Sequence, residues 1–288
     1  MEFHTIYRPI TATPFKDDKD YVEVEPCDAL KPYIRCFWGT TVPNRHLETN
    51  TDLAIVIPDT CMDIIFYVNH SKNEVHSIFC ALNDTSFQTY SANTKDELIS
   101  TFGIRFFAWS AILFSEESLY DSKNKVYDAG VYFPELKREL ESMVTNVDTL
   151  EDRKRRAEKY LIEHMRTKQM NTLLTESIYN ILRNKGNIKT MQLAKEIHVS
   201  TRQIERIFEK NIGMPPKAFS SLIRYQYLWN DILFLNQFAI LDAVVKYGYT
   251  DQSHLLNDFK SFHTMPLKDA REYARKDVAF LQEEKLNY

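Results

Sequence analysis

The spacing of hydrophobic and polar residues divides the chain into a strand-rich first part and a helical second part. Short alternating or β-branched runs, separated by turn residues, predict strands at residues 33–41, 53–57, 62–68, 75–82 and 98–107. No helical pattern lies between these runs, which predicts an antiparallel barrel or sandwich. Proline is absent between Pro134 and Pro215, so the chain after the strands is suited to helices.

Two helices are predicted directly after the strands, at residues 134–144 and 149–165. The second begins with a capping signal, Thr149 with Asp152, and carries a sparse apolar stripe of Leu150, Ala157, Leu161 and Met165. A stripe this short either covers the sheet or pairs with a second subunit, and the sequence leaves both interpretations open. Segment 167–171 is the predicted linker, and the residues from 171 onward predict seven helices.

The segment LAKEIHVSTRQIERIF, residues 193–208, predicts two short helices joined by a tight turn at His198 and Val199. Ser200 is placed to cap the second helix, with Gln203 three residues later. The buried stripe of that helix is Ile204, Ile207 and Phe208, and the outward residues are Thr201, Arg202, Glu205 and Arg206. Such a hairpin either presents its second helix to a DNA major groove or is a packing unit of an unrelated protein.

The same pattern returns as AVVKYGYTDQSHLLNDF, residues 243–259. Asp251 takes the place of Ser200 as the cap, while Leu255 and Phe259 match Ile204 and Phe208, each 51 residues later. The helix predicted between the copies starts at the two prolines and spans roughly 28 Å. This is close to the roughly 34 Å that separates sites one DNA turn apart, so the repeat favours a protein that places two recognition helices on one face of a DNA duplex.

These motifs resemble the AraC/XylS family of bacterial transcription regulators. The resemblance is carried by LAKEIHVSTRQIERIFEKNIGMPPKAF and GYTDQSHLLNDFK, with Ile223, Arg224, Ile232 and Leu233 between them, and covers about residues 171–275. It implies two helix-turn-helix units that bind double-stranded operator DNA in consecutive major grooves, and control of transcription through contact with RNA polymerase. The predicted fold is α+β, with an effector-sensing or dimerisation domain at residues 1–166 and a DNA-binding domain at 172–288.

In the first unit, the positions that match the family's base-facing sites are Arg202, Glu205 and Arg206, with Thr201 nearer the DNA backbone. Arginine can donate two hydrogen bonds to guanine O6 and N7. Glu205 is suited to accept a hydrogen bond from a cytosine amino group, to orient Arg202, or simply to form a surface ion pair.

In the second unit, the matching positions are Gln252, Ser253, Leu256 and Asn257, and His254 is placed to touch phosphate. Here the sequence departs from the family, which commonly has arginine at the site of Asn257 and an aromatic residue at that of Leu255. Thr264 also replaces the glycine that the first unit has at Gly213. We therefore predict that the first unit contributes more affinity and sequence preference than the second.

The first part somewhat resembles the β-rich sensory domains that precede such units, through PCDALKPYIRCFW, IPDTCMDIIFYV and GIRFFAW, although Thr60, Ala108 and Trp109 depart from that pattern. Barrel strands direct alternate side chains inward, which makes seven residues candidates for lining a ligand cavity: Trp38, Phe66, Tyr67, Phe102, Arg105, Phe107 and Trp109. The favoured alternative is that most of these aromatic residues are core and that Arg105 pairs with an internal acid such as Asp63.

Composition and charge change this picture little. The 44% hydrophobic and 13% aromatic content excludes general disorder. The net charge of −4 argues against a nucleic-acid partner, but from residue 171 onward 16 lysines and arginines face 13 acidic residues. The four cysteines form no C-x-x-C pair and are predicted to be reduced core thiols: Cys27, Cys36, Cys61 and Cys80.

Several function classes are disfavoured. Motifs such as G-x-S-x-G and H-E-x-x-H are absent, and a metal-dependent cupin-like enzyme using His46, His70 and His76 is the weakest alternative, so neither a cofactor nor a metal is expected. No run of eighteen apolar residues and no signal pattern occurs, which predicts a cytoplasmic protein without a membrane partner. A small-molecule effector, a homodimer, and a ligand-independent first domain that serves as a protein-interaction scaffold all stay open.

Overall fold

The computed structural model of the chain describes residues 2–10, 22–45, 54–89, 97–146, 149–166 and 171–275. Its first part is an antiparallel β structure. Nine strands are present in these residues: β1 Val22–Val24, β2 Ile34–Gly39, β3 Asn44–Arg45, β4 Ala54–Val56, β5 Cys61–Asn69, β6 Glu74–Cys80, β7 Phe87–Thr89, β8 Leu98–Phe107 and β9 Val126–Asp128. Each of the five predicted runs overlaps one of them.

Seven strands form one sheet in the order β1-β2-β8-β5-β6-β9, with β3 also paired to β8, while β4 and β7 form a separate two-stranded sheet. Every pairing is antiparallel, and β5 and β8 align Phe66 with Phe102 and Asp63 with Arg105. Because successive side chains alternate between the faces of a strand, these two pairs lie on opposite faces of the sheet.

Two helices pack on the face that carries Phe66 and Phe102. They are α1 Pro134–Thr145 and α2 Leu150–His164. Just before α1, Phe133 contacts Phe79 with ring centroids 4.9 Å apart, and Glu141 of α1 accepts a hydrogen bond from Ser77 at 2.6 Å. In α2, Leu150, Ala157 and Leu161 are buried within the protein, as the sheet-covering interpretation of its stripe expects.

Within residues 171–275, the second part forms the seven helices that the sequence predicts. They are α3 Thr172–Arg183, α4 Thr190–Glu196, α5 Thr201–Ile212, α6 Pro216–Phe234, α7 Ile240–Tyr247, α8 Gln252–His263 and α9 Leu267–Arg275. Of the predicted linker, residues 167–170 lie outside the described residues, and Asn171 caps α3 by accepting a hydrogen bond from the Leu174 amide. The architecture is thus α+β, as predicted.

The two helical hairpins have matching caps. Ser200 Oγ accepts from the Gln203 amide at 3.2 Å, and Asp251 Oδ1 accepts from the His254 amide at 2.8 Å, so both predicted N-caps are confirmed. Gly213 ends α5 in the left-handed conformation with φ +76°, and Thr264 ends α8 there with φ +58°. A β-branched residue is strained at positive φ, so the second unit has the less favourable helix end.

The β part and the helical part pack against each other through buried residues. Gln226 of α6 is 2% exposed; its side chain donates to Pro58 O at 2.7 Å and accepts from the Ile10 amide at 2.8 Å. Tyr7 contacts the rings of Trp109 and Tyr227, with centroid distances of 6.3 and 5.4 Å. The helix that joins the two hairpins is therefore held by the β part.

The four cysteines are free thiols, and burial raises the pKa of the Cys36, Cys61 and Cys80 thiols. Among the described helices, none combines the length and the apolar character that crossing a membrane requires.

Candidate nucleic-acid interface

Helix α5, the second helix of the first hairpin and its predicted recognition helix, exposes all four of its predicted DNA-facing residues while its opposite side is buried. Thr201, Arg202, Glu205 and Arg206 are exposed, whereas Ile204, Ile207 and Phe208 lie in the core. Within the described part of the chain, these four side chains have no hydrogen bond or ion pair, so Glu205 orients neither arginine here. The two guanidinium groups are thus free of protein partners in the described residues and can donate to a ligand.

The second recognition helix, α8, presents a less charged surface. Gln252, Ser253, His254 and Asn257 are exposed, while Leu256 is half-buried against the core. His254 Nδ1 accepts from the Thr250 amide at 3.3 Å, and the Thr250 hydroxyl lies 3.0 Å away. With Nδ1 as an acceptor, a neutral imidazole carries its proton on Nε2, which leaves one donor suited to a phosphate oxygen.

A polar cluster that sequence reasoning missed holds α8 against α6. Arg224 donates to Asp258 at 2.9 Å and lies over the ring of Tyr249, 4.3 Å from its centroid. The Tyr249 hydroxyl donates to the same carboxylate at 2.9 Å. Arg224 carries part of the family resemblance, but its partner Asp258 stands at an ordinary surface position of the motif and gave no separate signal.

Behind α8, His263 is buried in an aromatic cluster. It is 2% exposed, shares a hydrogen bond of 2.8 Å with Tyr225, and stacks on Phe259 with ring centroids 5.0 Å apart. Burial lowers the pKa of His263 to about 4. The imidazole is therefore a neutral packing element that joins α6 to the end of the second recognition helix.

This burial predicts a pH dependence of stability. Between about pH 6.5 and pH 4 the unfolded His263 takes up a proton and the folded one does not, so the free energy of unfolding falls as pH falls. The loss reaches roughly 3 kcal/mol, since each pKa unit is worth about 1.4 kcal/mol. Urea midpoints of wild type and His263→Phe, measured from pH 7 to pH 4.5, are expected to show this part of the decline only in wild type.

Tyr225→Phe is the matched control, because it removes the same hydrogen bond but keeps the titrating imidazole. Asp59, whose pKa burial raises to about 7, changes stability in the opposite direction with pH. Its contribution is common to all three proteins and cancels in their differences. Parallel pH curves for wild type and His263→Phe are the result that contradicts this account.

A second cluster of charges lies on the sheet face opposite the helices. Arg105, 3% exposed, lies 2.9 Å from Asp63 and 3.7 Å from Glu23, and Arg35 lies 3.7 Å from the same glutamate. The indole of Trp38 donates to Asp63 at 2.8 Å. The predicted pairing of Arg105 with Asp63 is therefore present, and the buried cations are matched by carboxylates of the protein.

The structure does not gather the seven predicted pocket residues around one cavity. Trp38, Tyr67 and Arg105 share the charged sheet face, where Tyr67 is 45% exposed. Phe66 and Phe102 are fully buried on the other face, beneath the helices, with ring centroids 6.1 Å apart. Phe107 and Trp109 stack on each other at 4.8 Å, where the β part meets the helical part.

One cavity, of about 270 Å³, lies where the N-terminal segment, the β part and α3 meet. Its lining includes Phe3, Tyr33, Trp109, Leu174 and Thr175. The buried Nε1 of Trp109 has no hydrogen-bond partner among the described residues. Trp109 is the member of the predicted pocket set that lines this cavity.

The histidines considered as metal ligands do not form a cluster in the described residues. His70 hydrogen-bonds Ser100 at 2.8 Å, His76 is exposed, and His46 lies outside the described residues. Among residues with described positions, no cluster of three or more potential metal ligands occurs.

Comparisons with known proteins match two segments of the chain. Residues 193–273 match a family described as a helix-turn-helix domain, and this span contains both hairpins. Residues 22–128 match a domain of unknown function (DUF6597), a span that begins with β1 and ends with β9. A search of curated proteins found no match.

Solved structures of ToxT from Vibrio cholerae are similar at low identity. One at 1.65 Å resolution is 14% identical, covers 81% of this chain and 98% of its own, and has a TM-score of 0.41. A second, bound to an unsaturated fatty acid, is 11% identical, covers 79% and 97% of the two chains, and has a TM-score of 0.39. These values are too low to transfer ToxT's ligand or geometry to this chain.

Proposed function

We propose that the chain is an AraC-type DNA-binding regulator, because residues 193–273 match a helix-turn-helix domain family, and that it controls transcription by reading two adjacent major-groove sites of an operator. One observation carries the proposal. Helices α5 and α8 have the same length, the same type of N-cap and outward residues at matching positions, and α6 joins the two hairpins that contain them. Contact with RNA polymerase is inferred from the family, whose members are regulators and not enzymes.

We propose that the first unit supplies most of the sequence preference. Arg202 and Arg206 combine charge, exposure and the geometry for bidentate contact with guanine. In the second unit, Gln252 and Asn257 are suited to adenine, Ser253 and His254 to the phosphate backbone, and Leu256 to packing against a thymine methyl group. In the first unit, Thr201 contacts the DNA backbone and Glu205 accepts a hydrogen bond from a cytosine amino group.

For the β part, residues 1–166, we propose a sensory role, with the cavity beside Trp109 as the effector site. The support is that this cavity lies between the β part and α3, so a bound molecule contacts both parts of the protein. Its lining is largely aromatic and aliphatic with a few polar groups, which suits a small, mainly apolar molecule. The alternatives are a dimerisation domain and a ligand-independent scaffold for another protein.

Thermal unfolding of the full chain with small carboxylates, sugars and aromatic compounds tests the sensory role. An effector at one hundred times its Kd adds about 2.7 kcal/mol and raises Tm by several degrees. Trp109→Phe keeps an aromatic ring but changes the shape of the cavity wall, so it is expected to reduce that rise. Trp38→Phe is the control, because Trp38 lies on the sheet face and outside the cavity. No rise with any compound contradicts the sensory role and favours the scaffold alternative.

A further inference from the structure

The β part contacts the C-terminal end of the first recognition helix. The Leu119 amide and the Ser118 hydroxyl both donate to Lys210 O, at 3.0 and 3.1 Å. Gly213, which ends this helix, is so close to the same loop that a Cβ there would lie 2.2 Å from Ser122 Oγ. The last carbonyls of a helix have no partner within the helix, and here a loop of the β part supplies one.

A second loop of the β part contacts the corresponding end of the second recognition helix. The Ser86 amide donates to Phe262 O at 2.8 Å, and the Ser86 hydroxyl donates to His263 O at 2.9 Å. The hydroxyl also lies 2.5 Å from that of Thr264, the residue held at positive φ. The strained end of α8 is thus supported from the β part of the chain.

The two loops are joined to each other by Asp84. Its carboxylate accepts from Lys123 Nζ and from Asn124 Nδ2, both at 2.7 Å, and its amide donates to Asn124 Oδ1 at 2.9 Å. The Ala81 amide also donates to Lys125 O at 3.2 Å. Residues 81–86 and 118–125 therefore form one connected unit, which we call the bracket.

The bracket contacts both recognition helices at equivalent positions. Gly213 and Thr264 are 51 residues apart, the offset that relates the two hairpins, and each lies against one bracket loop. Helix α6 joins the hairpins on one side, and the bracket joins their ends a second time. A body held at two separate places has less freedom to rotate and shift than one held by a single helix.

We infer that the bracket sets the separation of the two recognition helices, and hence the spacing of the two DNA sites that the protein accepts, with Asp84 as its positioning residue. This inference rests on the proposed function. It gives the β part a direct influence on DNA recognition, because any change that moves one bracket loop relative to the other moves one recognition helix relative to the other.

The test compares operator spacing in full-length proteins. On a genomic fragment selected by the wild type, inserting one base pair between the two half-sites is expected to weaken wild-type binding about tenfold. In Asp84→Ala the same insertion is expected to weaken binding by about threefold or less. Asp121→Ala is the control and should keep the wild-type penalty, because Asp121 pairs with Lys125 inside one loop and not between the loops.

A measurement without DNA separates this inference from the proposed function. Spin labels introduced as non-natural amino acids at positions 206 and 257 report the distance between the exposed faces of α5 and α8. Asp84→Ala is expected to broaden the distance distribution, and Asp121→Ala to leave it unchanged. If the protein selects no DNA, the proposed function fails, and the measured distances alone test whether the bracket sets the separation of the two helices. An unchanged distribution together with an unchanged spacing penalty in Asp84→Ala overturns the inference.

Discussion

Replacing Arg105 with methionine is expected to lower the free energy of unfolding by about 3–5 kcal/mol, which is the cost of leaving a buried charge without its partner. Arg105 lies between Asp63 and Glu23, and its side chain is only 4% exposed. Methionine fills a similar volume but supplies no charge, so both carboxylates lose a cation in a place that water hardly reaches. Urea unfolding of the full-length protein at pH 7 measures the difference.

Arg138→Met is the matched control. Arg138 also pairs with a neighbouring acid, Glu139, at 3.1 Å, but both side chains are more than half exposed. An ion pair in that setting contributes little to stability because water screens it. The same substitution at this position is therefore expected to leave the urea midpoint unchanged. Equal midpoints for wild type and Arg105→Met contradict the description of a buried, matched charge cluster.

Replacing Arg206 with alanine is expected to weaken operator binding more than replacing Asn257, its counterpart in the second unit. A good bidentate contact to a base is worth about 1–3 kcal/mol, which corresponds to a loss of about 5- to 150-fold in affinity. The loss of affinity in Asn257→Ala is expected to lie near or below the lower end of this range, because α8 has no arginine among its outward residues. Titration of a labelled fragment at one fixed salt concentration measures both.

A charge control distinguishes base recognition from general attraction to DNA. Lys217→Ala removes an exposed positive charge from α6, outside both recognition helices. It is expected to weaken binding to the selected fragment and to a scrambled one by the same factor. Arg206→Ala is expected to weaken binding to the selected fragment more than binding to the scrambled fragment. Equal losses for Arg206→Ala and Asn257→Ala contradict the ranking of the two units.

The elements that sequence predicts well are those with long periodic patterns. The strands β5 and β8 are nine and ten residues long, and the hydrophobic pattern predicts both. The strands that the pattern misses, β1, β3, β7 and β9, have two or three residues each, too few for a period to appear. Strand β4 is equally short, and it is predicted from its apolar, β-branched run instead of from a period. The two hairpins are predictable because the Ser200 and Asp251 caps depend on local spacing.

The seven predicted pocket residues fail to share a cavity for a reason that lies in strand geometry. Phe66 and Tyr67 are consecutive in β5, so they face opposite sides of the sheet and cannot line one cavity together. The same parity separates Phe102 from Arg105 in β8. Alternation along the two strands is therefore enough to divide the candidates on β5 and β8 into two groups.

Other features depend on how distant segments dock. Ser86 and Asp84 lie in a short polar loop, and nothing in its local sequence indicates that Ser86 meets a helix end 177 residues later. Gln226 looks like a surface residue of α6, yet it is buried because Ile10 and Pro58 supply its partners. Such contacts follow from the packing of the β part on the helices, which local periodicity does not encode.

The most direct test of binding at two adjacent major-groove sites is a base-by-base map of DNA that the protein itself selects. Genomic fragments bound by the purified full-length protein are sequenced, and the effect on binding of removing each single base is mapped on the best of them. Two groups of bases whose removal weakens binding are expected about 10 base pairs apart on one face of the duplex, with the stronger effect at the group whose contribution is lost in Arg206→Ala. A single such group, or binding without sequence preference, contradicts the proposal of two adjacent sites.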